Sequence, residues 1–185
     1  MALSVLVILV SLAVPSFQRQ IAGSRLTSAA NDLHAALTRA RSEAIRTGSR
    51  ATVCKSTSGT ACSTVSSVDW NSGWIVFNDP TRTGSDAAVD TGETILARST
   101  SITGQVRIVG SGDTAQYVSF GADGRTKLMA GTPQSGRIRV CSTSAALDND
   151  SRARDVCVSS TGRVVVTQPA GVDATCPAPP SGACS

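Results

Sequence analysis

The order of apolar and polar positions divides the chain into two regimes. Residues Ala2 to Val14 form a run with almost no polar side chain, ALSVLVILVSLAV. From there Leu26, Ala30, Leu33, Leu37, Ala40 and Ala44 recur at alternating steps of four and three. That is one face of an amphipathic helix. Arg25, Asp32, Arg39, Arg41, Glu43 and Arg46 fall mostly off this face, and Gly48 supplies a C-terminal stop. The pattern predicts one nearly continuous helix from Ala2 to Thr47, roughly 69 Å long. Pro15 is expected to kink it and to remove one backbone hydrogen bond. A helix apolar all round at first and one-sided later reads as half embedded in a membrane or filament core and half packed on a globular domain.

Beyond Gly48 the period shortens. Short β-prone runs are expected at Arg50 to Cys54 (alternating), Trp74 to Phe77 (a buried run), Thr94 to Ala97 and Gln105 to Val109. Tyr117 to Phe120, Arg137 to Cys141, Asp155 to Ser159 and Arg163 to Thr167 follow, with Gly, Ser, Asp, Asn and Thr between them. The expected fold is α+β: a long N-terminal helix packed on an antiparallel β-sheet. The expected segments are 1–17 (hydrophobic), 18–48 (amphipathic helix), 49–168 (β-rich domain) and 169–185 (a Pro/Gly-rich, disulfide-tied tail).

The apolar run is shorter than the roughly 20 residues that span a bilayer. It also makes a poor cleavable secretory signal, because no basic residue precedes it and no A-x-A site follows. Of 185 residues 41% are hydrophobic but only 3% aromatic, so the core must rest on Val, Ile, Leu and Ala. Six cysteines, Cys54, Cys62, Cys141, Cys157, Cys176 and Cys184, fall in three local pairs separated by seven, fifteen and seven residues. That even count suggests three disulfides and an oxidising compartment. Zinc competes weakly, since tight C-x2-C pairs are missing and the only histidine, His34, is far away.

No catalytic, cofactor or metal set is expected. His34 lies beside core-facing Leu33, the serines lack a nucleophile elbow, and Asp148 and Asp150 lack the spacing of an EF-hand loop. The net charge of +4 is mild, and all of it resides between Arg125 and Arg163, where seven basic residues face three acids. Arg137 and Arg139, at i and i+2, would share one face of a strand. With Arg163, and with Arg152 and Arg154 nearby, they are candidates to grip DNA phosphates. The alternative is a solvated basic face.

The N-terminal segment Ala13-Val14-Pro15-Ser16-Phe17, running into an amphipathic helix, resembles type IV pilins and type II secretion pseudopilins. Four later motifs resemble the GspH/FimT family of minor pilins and pseudopilins. They are Val53-Cys54-Lys55-Ser56 with Gly59-Thr60-Ala61-Cys62 (a disulfide-closed hairpin), Asp69-Trp70-Asn71-Ser72-Gly73-Trp74-Ile75-Val76-Phe77-Asn78-Asp79, Ser119-Phe120-Gly121-Ala122-Asp123-Gly124-Arg125, and Ser159-Ser160-Thr161-Gly162-Arg163-Val164. The resemblance spans Ala13 to Thr167. Bottom-up, Gly73, Gly124 and Gly162 are turn residues and Trp70 and Trp74 are core.

The resemblance implies a structural subunit that initiates or caps a pilus or secretion pseudopilus. It would assemble with other minor pilins or pseudopilins through the helix face of Leu3, Val7, Val10, Val14 and Phe17. It further implies single-pass residence in the bacterial inner membrane with the domain in the periplasm, and no small-molecule substrate. The family's prepilin peptidase site, a Gly-Phe-Thr-Leu-Ile-Glu-like segment, is absent, and the start codon is expected to lie upstream. Some members of the FimT branch bind DNA through a G-R-x-R motif in the last hairpin. Here that hairpin reads Gly162-Arg163-Val164-Val165, and G-R-x-R stands one strand earlier, at Gly136 to Arg139. A secreted hydrolase with a cleaved signal is the remaining alternative.

Overall fold

The structure is a computed structural model that describes residues 2–81 and 84–182, with side chains described from residue 14 onward. The helix α1 runs from Ala2 to Thr47 with Pro15 inside it, so the proline does not end the helix. Eight strands follow: β1 (Ala51–Lys55), β2 (Trp74–Asn78), β3 (Ile95–Ser99), β4 (Val106–Gly110), β5 (Tyr117–Phe120), β6 (Gly136–Ser142), β7 (Ala153–Val158) and β8 (Val164–Thr167). Each falls on one of the eight runs expected from the sequence.

The expected α+β architecture of a long helix packed on antiparallel sheet is present, and the strands divide into two four-stranded antiparallel sheets, in the orders β3-β2-β1-β5 and β4-β6-β7-β8. Both pack on α1. The helix turns Leu26, Leu33, Leu37, Ala30, Ala40 and Ala44 inward, and all six are essentially fully buried. The alanines between the leucines let strands from two sheets approach one helix. Val53, Val76 and Val118 meet it from the first sheet and Ile108, Ile138, Val140 and Val156 from the second, in one continuous core.

The alternation of β1 sends its side chains to two faces, but neither face meets water, because all five of its residues are buried. Its far side faces a second apolar cluster of Cys54, Ile75, Phe77, Tyr117 and Met129. Thr52 is buried there without cost to its hydroxyl, which donates to Asp79 Oδ2 at 2.7 Å.

Trp70 is fully buried at a 3-10 turn, and its indole N–H donates to the Thr114 carbonyl at 3.1 Å. Gly73 then carries the chain into β2 at φ 113°, where a Cβ would sit 2.6 Å from the Ser99 carbonyl oxygen. The spacing W-x-x-G-W therefore places two indoles in the core on either side of a bend open only to glycine.

Candidate functional site

The site begins with the part of α1 that the domain does not cover. Burial of its apolar face starts at Ala22, whereas Val14, Phe17 and Ile21 are exposed, Phe17 by 69%. The helix carries on to Ala2 beyond them. Leu3, Val7 and Val10 lie on this extension, and their side chains fall outside the described residues. An apolar side chain so exposed on a long free helix has no partner within this chain among the described residues, and burying it requires another molecule. None of the helices is long and apolar enough, over the described residues, to cross a membrane.

The other end of α1 is locked to the domain by the two family-like turns, which prove to be one joint. In each turn the residue before the tip and the arginine after it close a hairpin: the Gly121 N–H donates to the Arg125 carbonyl, and the Ser159 N–H to that of Arg163. Gly124 (φ 70°) and Gly162 (φ 80°) stand at equivalent places and touch. A Cβ on Gly162 would fall 1.8 Å from the Gly124 carbonyl oxygen, and one on Gly124 would fall 2.8 Å from Ile45 of the helix. Thr126 pins the joint by donating its hydroxyl to the carbonyls of Gln134 and Ser159. Fully buried Gln134 donates to the carbonyls of Asp113 and Tyr117 and accepts from the Ser119 N–H.

The basic strand does not form the face expected of it. Arg137 and Arg139 do point to one side of β6, away from buried Ile138. Arg139, however, is 7% exposed and makes a two-pronged ion pair with Asp155, its direct neighbour on β7, at 2.8 and 2.9 Å. Its remaining nitrogen donates to the Pro177 carbonyl of the tail. Arg152 is likewise buried, donating to the carbonyls of Ser142, Ser144 and Leu147, and so clamps the β6–β7 connection. Half-buried Arg154 donates to the carbonyls of Ser151 and Ala153. The expectation that these side chains are free for phosphate is corrected for Arg139, Arg152 and Arg154. Arg163 and Arg125 remain exposed at their turns.

The tail explains much of this. It was expected to be a loop without a core, closed by Cys176–Cys184. Instead Cys176 bonds Cys141, replacing the expected Cys141–Cys157 pair. Cys157 is disulfide-bonded in its own right, and Cys184 lies outside the described residues. Val172 and Cys176 pack on Cys141 and Ala153, covering the outer side of the second sheet. The pair Cys54–Cys62 forms as expected. Buried Lys55 fastens the rest of the β1–β2 connection, donating to the carbonyls of Val65 and Val68, and burial lowers its pKa despite nearby Asp69.

The other candidates have local work. His34 is half-buried with Nε2 3.4 Å from the Val164 carbonyl oxygen. Asp148 lies 3.9 Å from the Arg19 guanidinium, and Asp150 accepts from the Gly171 N–H. Among the described residues no group of three or more His, Cys, Asp or Glu is placed to hold a metal ion.

Comparison with known proteins agrees with this architecture. No curated protein matches the chain. Two crystal structures of the type IV minor pilin FimU of Pseudomonas aeruginosa (strain PAO1) share its fold. One is 20% identical with a TM-score of 0.55, over 85% of this chain and 95% of that one. The other is 19% identical with a TM-score of 0.53, over 84% and 98%. The family model described as type II transport protein GspH matches residues 29–162, from the buried half of the helix to the glycine of the last turn. The chain therefore belongs to the GspH family, the minor pilins and pseudopilins built on one long helix and a β-rich domain.

Proposed function

We propose that this protein is a minor subunit that initiates or caps a bacterial type IV pilus or type II secretion pseudopilus. The observation that carries the reading is the helix that outruns its domain, with Val14, Phe17 and Ile21 bare on the projecting part. Neighbouring subunits bury that surface in the filament through helix packing, extended by Leu3, Val7 and Val10. Before assembly the same segment holds the subunit at the inner membrane with the domain in the periplasm. The disulfides support that compartment. The domain acts as an outward-facing body and needs no cofactor.

Deleting the gene, and scoring surface pili and exported enzymes side by side, tests this. Loss of pili with normal export assigns the subunit to the pilus, and the reverse assigns it to the secretion machine. Both functions intact would refute the reading. Phe17→Glu should reproduce the deletion while the domain keeps its stability, because Phe17 touches solvent in the isolated chain.

A further inference from the structure

The two sheets are joined through turns on one side and end in the terminal strands β3 and β4 on the other. The Gly124–Gly162 joint seals the side of β5 and β8. On the opposite side β3 ends the first sheet with no strand beyond it. Three concavities of about 450, 380 and 330 Å³ run there between the strands and one flank of α1. The first two share Asp32 and the last two share Arg25 and Val106, so they form one furrow. It follows the helix from Arg39 to Gln18, roughly 32 Å. Its helix side is floored by small residues, Ala35 and Ala36 beside β3 and Ala29 further along. Inside it Arg25 and Arg39 stand against Asp32, and Arg98 marks the rim from the far face of β3.

We propose that this furrow binds an extended segment of another protein chain bearing acidic side chains, which adds to the open edge of β3. An edge strand offers a row of backbone donors and acceptors to any extended chain, and side chains select the partner. In register, Ala97 stands opposite Val76 on the helix side of the sheet, and Arg98 opposite Ile75 on the far side. Successive side chains of an added strand point to opposite faces. Those facing inward meet Arg39 over the space left by Ala35 and Ala36, and those facing outward meet Arg98. The bulge at Val76/Phe77 disturbs the first half of β3, so the regular edge is the Ala97–Ser99 end that lines the furrow. Arg98 on that edge disfavours pairing with a second copy of itself and favours an acidic strand. The binding belongs to the domain alone and does not require the filament.

The test uses the full chain in detergent micelles, amide NMR, and two synthetic peptides, one repeating Asp-Asp-Val-Val and one repeating Lys-Lys-Val-Val, so that each presents charge to both faces. The Asp peptide should shift the amides of Ala97 to Thr100 and of Ala35 and Ala36 saturably and slow hydrogen exchange in β3. The Lys peptide should bind at least about tenfold more weakly. Arg39→Glu with Arg98→Glu should reverse that preference without altering amides elsewhere. Should that pair fail to fold, Arg98→Gln, a surface change, should weaken the Asp peptide about threefold. No saturable shift, shifts outside the furrow, equal binding of both peptides, or an unchanged preference in the variants would overturn the proposal.

Discussion

Arg139 shows how far one residue's meaning depends on its neighbour across the sheet. In the sequence it belongs to an exposed-looking G-R-x-R. In the fold it faces Asp155 in a water-poor layer under the tail. Removing one partner of a buried pair strands the other charge, so Arg139→Ala should cost about 3–5 kcal/mol, read by chemical denaturation. Arg139→Met with Asp155→Leu should cost far less, because neither charge is then left behind. Asp79 offers a second reading at this scale. Burial raises its pKa to about 6; the Thr52 hydroxyl opposes this, Glu93 adds to it, Arg50 opposes and Asp90 adds. The folded carboxyl therefore holds a proton between about pH 6 and its ordinary value of 3.8, where the unfolded one does not. Stability from this group rises as pH falls through 6 and is lost above it. Asp79→Asn should flatten that slope, and the difference between variant and parent should reach about 2–3 kcal/mol between pH 7 and pH 4.

Among elements, the helix is the part most legible in advance. Its buried stripe is the one its apolar spacing announces, because a 3.6-residue period ties sequence position to facing direction without help from distant residues. The strands are legible for the same local reason, but their grouping is not. Division into two sheets depends on which edges meet, and that is decided by contacts such as Gly124 with Gly162, 38 residues apart by their numbers. Gly162→Ala should therefore destabilise by more than the roughly 1 kcal/mol of an ordinary turn glycine, since it combines a positive φ with a 1.8 Å approach to backbone. Thermal unfolding of the variant checks this. Asn at the same position should do no better, because the clash is at Cβ.

Over the whole molecule the tail serves as a strap across the second sheet. Cys141–Cys176 spans a separation of 35 residues, against 8 for Cys54–Cys62. Chain entropy alone assigns about 4 kcal/mol to the longer loop and about 2.5 to the shorter. Replacing Cys141 and Cys176 by Ser should accordingly lower the denaturation midpoint more than replacing Cys54 and Cys62. It should also speed hydrogen exchange at Arg139, whose guanidinium donates to the strap. Equal losses from the two pairs would mean that the strap holds by packing alone.

The sequence by itself determined the long helix, the eight strands, the glycine turns, the buried tryptophans and the family. All are written in local periods, turn chemistry and motif order. It also marked the projecting apolar end of the helix, because side chains that cannot be covered locally still show as an uninterrupted run. Only the tertiary structure decided that Cys141 joins Cys176, which arginines are sealed away from solvent, that the strands divide into two sheets, and which sheet edge is left open. Those outcomes rest on residues far apart in the chain. Their distance in space is set by how two sheets settle on one helix, and no local pattern encodes it.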